Sequence, residues 1–314
     1  MTDCYQYQYL MHAILASAGA HANLLYGNTE PGTAVRHRQN AIQGLNEALA
    51  RWPLQADEAH AMLATSYLLA FQSHFMPDGF ADYILSMRGS FQLKDVLRAQ
   101  QLRGVFELEL EDPGQLTVYL RPQNFHVLNQ KLLGDALLSL DAIFPMVDSP
   151  STHDIEKAIY QKLVEAVRYV VLVPRMHNIP DTVETQTPDP VQAAAEICKI
   201  DCLLQSQEWP QKEVIHLLSP SNTLSQVIMS HYAALRFVLT PLCAPELGMG
   251  THVKAMVEWC EIMLGNVKDD GQIRWTDHVQ WPARVTRAMR RCVNENQHLT
   301  LGELFDTLVE DPQY

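Results

Sequence analysis

The sequence predicts an all-α fold: a single large multi-helix domain around an apolar pocket. Three observations lead there. Apolar residues recur with the 3.6-residue helical period along most of the chain. Clusters of Pro, Gly, Asn and Asp separate those stretches at helix-length intervals. Strand-like alternation is confined to residues 107–121. With 314 residues, 47% of them hydrophobic, the chain can bury a sizeable core, and it reads as one helical domain over 1–314.

The first helix is expected from about Cys4 to Tyr26, capped by Thr2 or Asp3, with a turn at Gly27–Gly32. The next segment places Ile42, Leu45, Leu49 and Trp52 on one face, with Arg36, Arg38 and Glu47 elsewhere, and ends at Pro53. A third helix, Ala56–Phe75, is apolar almost all round, which predicts burial. Pro77, Asp78 and Gly79 break it, and a fourth helix starts over Gly79–Arg88. Residues 107–121 read as a short hairpin around Asp112-Pro113-Gly114 or as a loop. Helices follow at about 125–144, 152–174, 190–208, 220–239, 251–268, 282–296 and 301–309. The stretch 174–190, rich in Pro, Thr and acid, is expected to be a mobile loop.

Lys and Arg number 23 and Asp and Glu 36, a net charge of −13, so the chain is not expected to bind nucleic acid. Six cysteines include no Cys-x-x-Cys pair. They read as buried free thiols in a reducing, cytoplasmic compartment. No basic-then-apolar leader and no run of eighteen apolar residues occurs, so neither a secretory signal nor a membrane span is expected.

Four stretches, LMHAILASAGAH, AVRHRQNAIQGLNEAL, DEAHAMLATSYLLAFQSHF and DGFADYILSMRG, resemble the regulatory domain of fungal Zn(II)2Cys6 transcription factors of the sterol-uptake-control type. The resemblance is specific over Leu10–Gly89 and looser in HYAALRFVL and RWTDHVQWP. It implies a helical domain enclosing a hydrophobic, sterol-sensing pocket, and the dimers such regulators form imply a possible homodimer here. No cysteine spacing in this sequence builds the family's DNA-binding zinc cluster. The chain is then expected to be either a sensing domain or a free-standing protein that reuses the pocket.

The second possibility meets a second resemblance, to the non-canonical humulene synthases of fungal tropolone-sesquiterpenoid pathways. Those are all-α proteins without the Asp-rich cyclase signatures. A lysine that grips the substrate diphosphate, with a Leu or Met four residues before it that shapes the product, characterises them. Leu264 and Lys268 stand at that spacing in EWCEIMLGNVKDD, so the resemblance implies Lys268 as the catalytic, diphosphate-binding residue and Leu264 as a substrate contact.

Ionising a diphosphate ester needs cations at the leaving group, supplied by carboxylate-bound Mg²⁺ with help from Lys or Arg. At about 100° per residue, Glu261, Leu264, Gly265 and Lys268 share one helical face, with Glu258 at its margin. Glu261, Glu258 and Asp201 are accordingly the candidate Mg²⁺ ligands. For Glu258 and Glu261 the plainer alternative is ordinary surface pairing. Arg236, among Leu235, Phe237 and Val238, could grip a diphosphate or form a structural ion pair. His74 reads as a hydrogen-bonded core histidine, and Arg284, Arg287 and Arg291 as a surface face. Two functions follow as expectations. One is a Mg²⁺-dependent sesquiterpene cyclase making a macrocycle such as humulene from farnesyl diphosphate. The other is the sterol- or lipid-sensing domain of a fungal zinc-cluster regulator. Either partner is a hydrophobic small molecule, an isoprenoid diphosphate or a sterol.

Overall fold

The structure, a computed structural model, describes residues 6–27, 31–51, 55–104, 125–126, 128–171, 188–242 and 251–295. Among these residues the regular structure is entirely helical, as the periodicity predicts. The hairpin or loop at 107–121 and the helix at 301–309 lie outside the described residues, as does nearly all of the 174–190 stretch. Contacts divide the chain into two compact units, one of residues 1–110 with 204–208 and one of 111–203 with 209–314.

Unit 1 contains α1 (Gln8–Tyr26), α2 (Pro31–Leu49), α3 (Ala56–Ser73) and α4 (Phe80–Ala99). Gly27 ends α1 in the left-handed region, φ 66°, where its N–H reaches Asn23 O at 2.9 Å. A glycine adopts that conformation without the Cβ clash other residues suffer. Helices α1 and α2 then pack antiparallel. A Cβ on Gly44 would lie 2.8 Å from Tyr9 Cβ, and one on Gly19 would lie 3.2 Å from Ala34 Cβ. Small residues at both crossings let the backbones approach. Tyr9, Leu10, Ala13, Ala41, Leu45, Ala48, Met62, Leu63, Leu93 and Leu97 form one core with α3 at its centre.

The face that α2 buries differs from the expected one. Ala34, Arg38, Ala41, Leu45 and Ala48 are buried, whereas Ile42 and Leu49 are exposed; Trp52 lies outside the described residues. The reason is the close crossing with α1: small alanines fit against it and larger aliphatics do not. Helix α3 is buried along most of its length but leaves Phe71 exposed. It stops at Ser73, and the following turn carries His74, whose Nδ1 lies 3.0 Å from Phe71 O. Helix α4, expected to start over Gly79–Arg88, runs to Ala99, and the buried Arg88 guanidinium donates to the Leu204 and Ser206 carbonyls.

Unit 2 contains α5 (Gln130–Val147), α6 (Asp154–Val170), α7 (Pro190–Gln205, its last residues belonging to unit 1), α8 (Gln211–Leu217), α9 (Thr223–Leu239), α10 (Thr251–Asn266) and α11 (Gln280–Glu295). Asn129 and Asn222 cap α5 and α9, their side-chain oxygens accepting from Leu132 N and Ser225 N. Pro145 sits in the last turn of α5. Helix α9 is buried on every side from Ser225 to Leu235, and α5, α6, α10 and α11 pack against it. Its polar groups are matched. Ser230 Oγ donates to Val227 O at 2.8 Å, and His231 Nδ1 lies 2.9 Å from the same carbonyl. Its Nε2 lies 2.8 Å from Ser139 Oγ. Trp281 Nε1 donates to Leu132 O at 3.0 Å, fixing α11 to α5.

Candidate functional site

Helices α2 and α4 both pack on α3, and a half-open groove runs between them. Ile42, Leu45 and Leu49 form one wall, Leu85, Leu93 and Val96 the other, and Leu69 lies on the floor. The volume is about 650 Å³, within the range of small-molecule sites, ~300–1,000 Å³. Eleven residues separate Leu85 from Val96, so the apolar wall is about 16 Å long at helical rise. Gly89 faces this space, and a Cβ built there meets no atom within 4 Å. The aliphatic positions on α2 that the core does not use, Ile42 and Leu49, thus line a concave surface.

Arg38 is the groove's polar anchor. Its side chain is 6% exposed and donates to Leu69 O at 2.9 Å, Gln72 Oε1 at 3.1 Å, Ser73 Oγ at 3.2 Å and Asp82 Oδ2 at 2.9 Å. Burying a guanidinium costs several kcal/mol unless its donors and charge are matched, and here both are. Asp82 is half exposed and lines the groove. The charged residues lining the groove are Arg38, Asp82 and Asp95, a formal sum of −1. This lining disfavours an anion and suits a neutral apolar body carrying a hydrogen-bond donor. A second groove of about 830 Å³, mostly polar, lies along α1 and α2 near Gln8, His12, Asn40 and Glu47. Both concavities are open grooves on helices of unit 1.

The residues singled out from the sequence fall into two clusters in unit 2. Arg236 and Asp201 form an ion pair at 2.9 Å, and the buried Tyr232 hydroxyl donates to the same carboxylate oxygen. Burial holds the Tyr232 phenol well above its ordinary range. Arg236 thus forms an ion pair, one of the two roles the sequence leaves open for it. Glu261 pairs bidentately with Arg290 of α11, at 2.9 and 2.5 Å, and Glu258 lies 3.7 Å from the same guanidinium. This is surface pairing with an arginine of the next long helix rather than with a lysine of α10. Helix α10 ends at Asn266, so Lys268 lies beyond it, exposed, while Leu264 is half-buried. Asp269 and Asp270 organise the next loop: Asp270 accepts from Ile273 N at 2.7 Å and from Trp275 Nε1 at 3.2 Å, and Asp269 from Thr276 N at 3.0 Å. Arg284 pairs with Asp135 at 2.6 Å.

Those pairings bear on magnesium. Each of the three candidate ligands faces an arginine, and among the described residues no three His, Cys, Asp or Glu side chains gather as a metal-binding group. As arranged, the set does not fit a Mg²⁺ ion, which takes octahedral oxygen coordination. The residues that instead assemble a concave site, Arg38, Asp82 and Gly89, lie within the stretches that carry the first resemblance. The apolar stripe of Ile42, Leu45 and Leu49 leaves Arg38 off the face expected to be buried. Its signal was the spacing Ala34, Arg38, Ala41, Leu45, which keeps it on the alanine stripe.

No helix of the described residues is long and apolar enough to cross a membrane. In comparison with known protein families, curated proteins and solved structures, the chain matches none.

Proposed function

We propose that this chain is a ligand-sensing domain that binds a neutral, rigid, hydroxyl-bearing hydrophobic molecule of the sterol class between α2 and α4. The observation that carries the reading is the groove itself. Its apolar walls are long enough for a fused-ring body, and its one cation is already matched by Asp82. A ligand hydroxyl would donate to the half-exposed Asp82 carboxylate while the ring system covers Ile42, Leu85 and Leu93. Burying roughly 200 Å² of ligand surface there contributes on the order of 5 kcal/mol before ordering costs. The stretch Leu10–Gly89, which resembles sterol-sensing regulators, contributes α1, α2, α3 and the first half of α4.

The sesquiterpene-cyclase reading asks for a Mg²⁺ cluster and a diphosphate grip at the end of α10. Its support is the half-buried Leu264 one turn before Lys268. Against it stand the arginine pairing of Glu258 and Glu261 and the net negative lining of the groove. One experiment separates the two. The chain is titrated with a fluorescent sterol and, separately, incubated with farnesyl diphosphate and Mg²⁺ before gas chromatography of the headspace. Saturable sterol binding with no hydrocarbon product is the expected result. A sesquiterpene product without sterol binding would replace the sensor with the cyclase.

A further inference from the structure

At the edge of the second groove of unit 1, which His12 lines, stands a pair of histidines that neither functional reading uses. His12 on α1 and His37 on α2 face each other across the antiparallel helix pair, with Nδ1 to Nδ1 at 2.9 Å and ring centroids 5.1 Å apart. Both rings are half-buried, and neither has another hydrogen-bond partner among the described residues. The helices that hold them are fixed by the Gly44–Tyr9 and Gly19–Ala34 crossings on either side. Gln8, one turn before His12, and Asn40, about one turn after His37, line the same groove.

We propose that His12 and His37 form a binding site for a divalent transition-metal cation that prefers tetragonal coordination, copper(II) foremost. Two facing imidazole nitrogens either share one proton or hold a metal. With metal–imidazole bonds of ~2.0–2.1 Å, adjacent corners of a square lie about 2.9 Å apart and two corners of a tetrahedron about 3.3 Å. The observed separation, that of an N–H···N hydrogen bond, equals the edge of such a square, so a metal could replace the proton without parting the helices. Square-planar or tetragonal sites of nitrogen and oxygen donors select Cu(II) or Ni(II), and copper heads the affinity order of the divalent series. Gln8 and Asn40 line the adjoining groove and, with water, are the candidates for the remaining oxygen donors. Copper takes the place of the shared proton. The ring that donated it then carries its hydrogen on Nε2, so both Nδ1 lone pairs are available and no net proton is lost.

The chain has 13 histidines, so the test must resolve them individually. The intact protein is titrated with substoichiometric CuSO₄ while its histidine side chains are followed by long-range ¹H–¹⁵N NMR. Signals of His12 and His37 are expected to broaden before all others. By competition titration, His12→Ala and His37→Ala should each weaken binding of the first copper equivalent at least tenfold, and His21→Ala, an exposed histidine on the same helix, should not. Copper affinity unchanged in both pair variants would overturn the site and leave a simple hydrogen bond. So would broadening that begins at His153 and His216, another close pair, whose centroids lie 4.2 Å apart. The wild-type titration decides the matter even if either variant fails to fold.

Discussion

Arg38→Met is the perturbation whose size follows most directly from the structure. The substitution keeps most of the aliphatic stem and removes four donated hydrogen bonds, those to Leu69 O, Gln72, Ser73 and Asp82. A bond to a charged group contributes roughly 1.5–3 kcal/mol net, but removing the guanidinium also relieves its burial cost of several kcal/mol. Ser73 Oγ still donates to Leu69 O at 2.9 Å, and the half-exposed Asp82 rehydrates, so Gln72 bears the main unsatisfied acceptor. The net cost is about 3 kcal/mol. Asp82→Asn keeps an oxygen near Arg38 and removes only the counter-charge. Because Asp82 is 46% exposed, solvent screens the change, and the cost falls to about 1 kcal/mol. Urea denaturation followed by circular dichroism reads both values. Hydrogen exchange on Ala56–Ser73 assigns the loss to unit 1. An Asp82→Asn variant less stable than Arg38→Met, or an Arg38→Met variant within 0.5 kcal/mol of wild type (about the resolution of such measurements), would refute this account of how the groove is anchored.

Three further outcomes are expected. Burial, with a smaller contribution from His278, pulls the His231 imidazole down from its usual value to about 4, against a raising bond to Val227 O. Its folded pKa is thus below its unfolded one. The stabilisation is complete above pH 6.5 and is lost as pH falls from there toward 4, by up to roughly 3 kcal/mol. His231→Gln should flatten that part of a stability–pH curve, and an unchanged slope would contradict the assignment. Burial pushes the Cys260 thiol up to about 12, so in native protein a thiol reagent should label the exposed Cys202 and spare Cys260; rapid native labelling of Cys260 would show that α10 opens. Lys268→Ala, at an exposed position past a helix end, should leave both the thermal midpoint and sterol affinity unchanged. Loss of turnover on farnesyl diphosphate in that variant would instead restore the cyclase reading.

The sequence revealed the helices better than their faces. The periodicity that predicts α3 and α10 is a local property, carried by side chains a turn apart. Which stripe is buried depends on the partner helix. On α2 the alanines, not Ile42 and Leu49, meet α1, because Gly19 and Gly44 bring the two backbones close. The short helix α8 escaped notice because seven residues carry little periodic signal. At the candidate site the limit was of the same kind. Glu258, Glu261 and Lys268 fall in line on an extrapolated helix, yet that helix stops at Asn266, and Arg290, twenty-nine positions from Glu261, captures the two acids. Charge partners distant in sequence leave no spacing to read. Arg38 was legible only to a reading that lets a cation occupy a buried stripe, which requires knowing that Gln72, Ser73 and Asp82 converge on it.

The central claim, that the groove between α2 and α4 is the ligand site, meets its most direct test in Gly89→Leu. An added Cβ at this position has nothing within 4 Å, so a side chain can start into the groove that Gly89 lines. Replacing a helical glycine with leucine should also stabilise α4 by up to ~0.8 kcal/mol. Sterol titration of this variant beside wild type therefore separates binding from folding. A thermal midpoint at or above that of wild type, with saturable binding lost or weakened at least tenfold, is the predicted result. A Gly89→Leu protein that folds and binds sterol with wild-type affinity would place the ligand elsewhere and contradict the account.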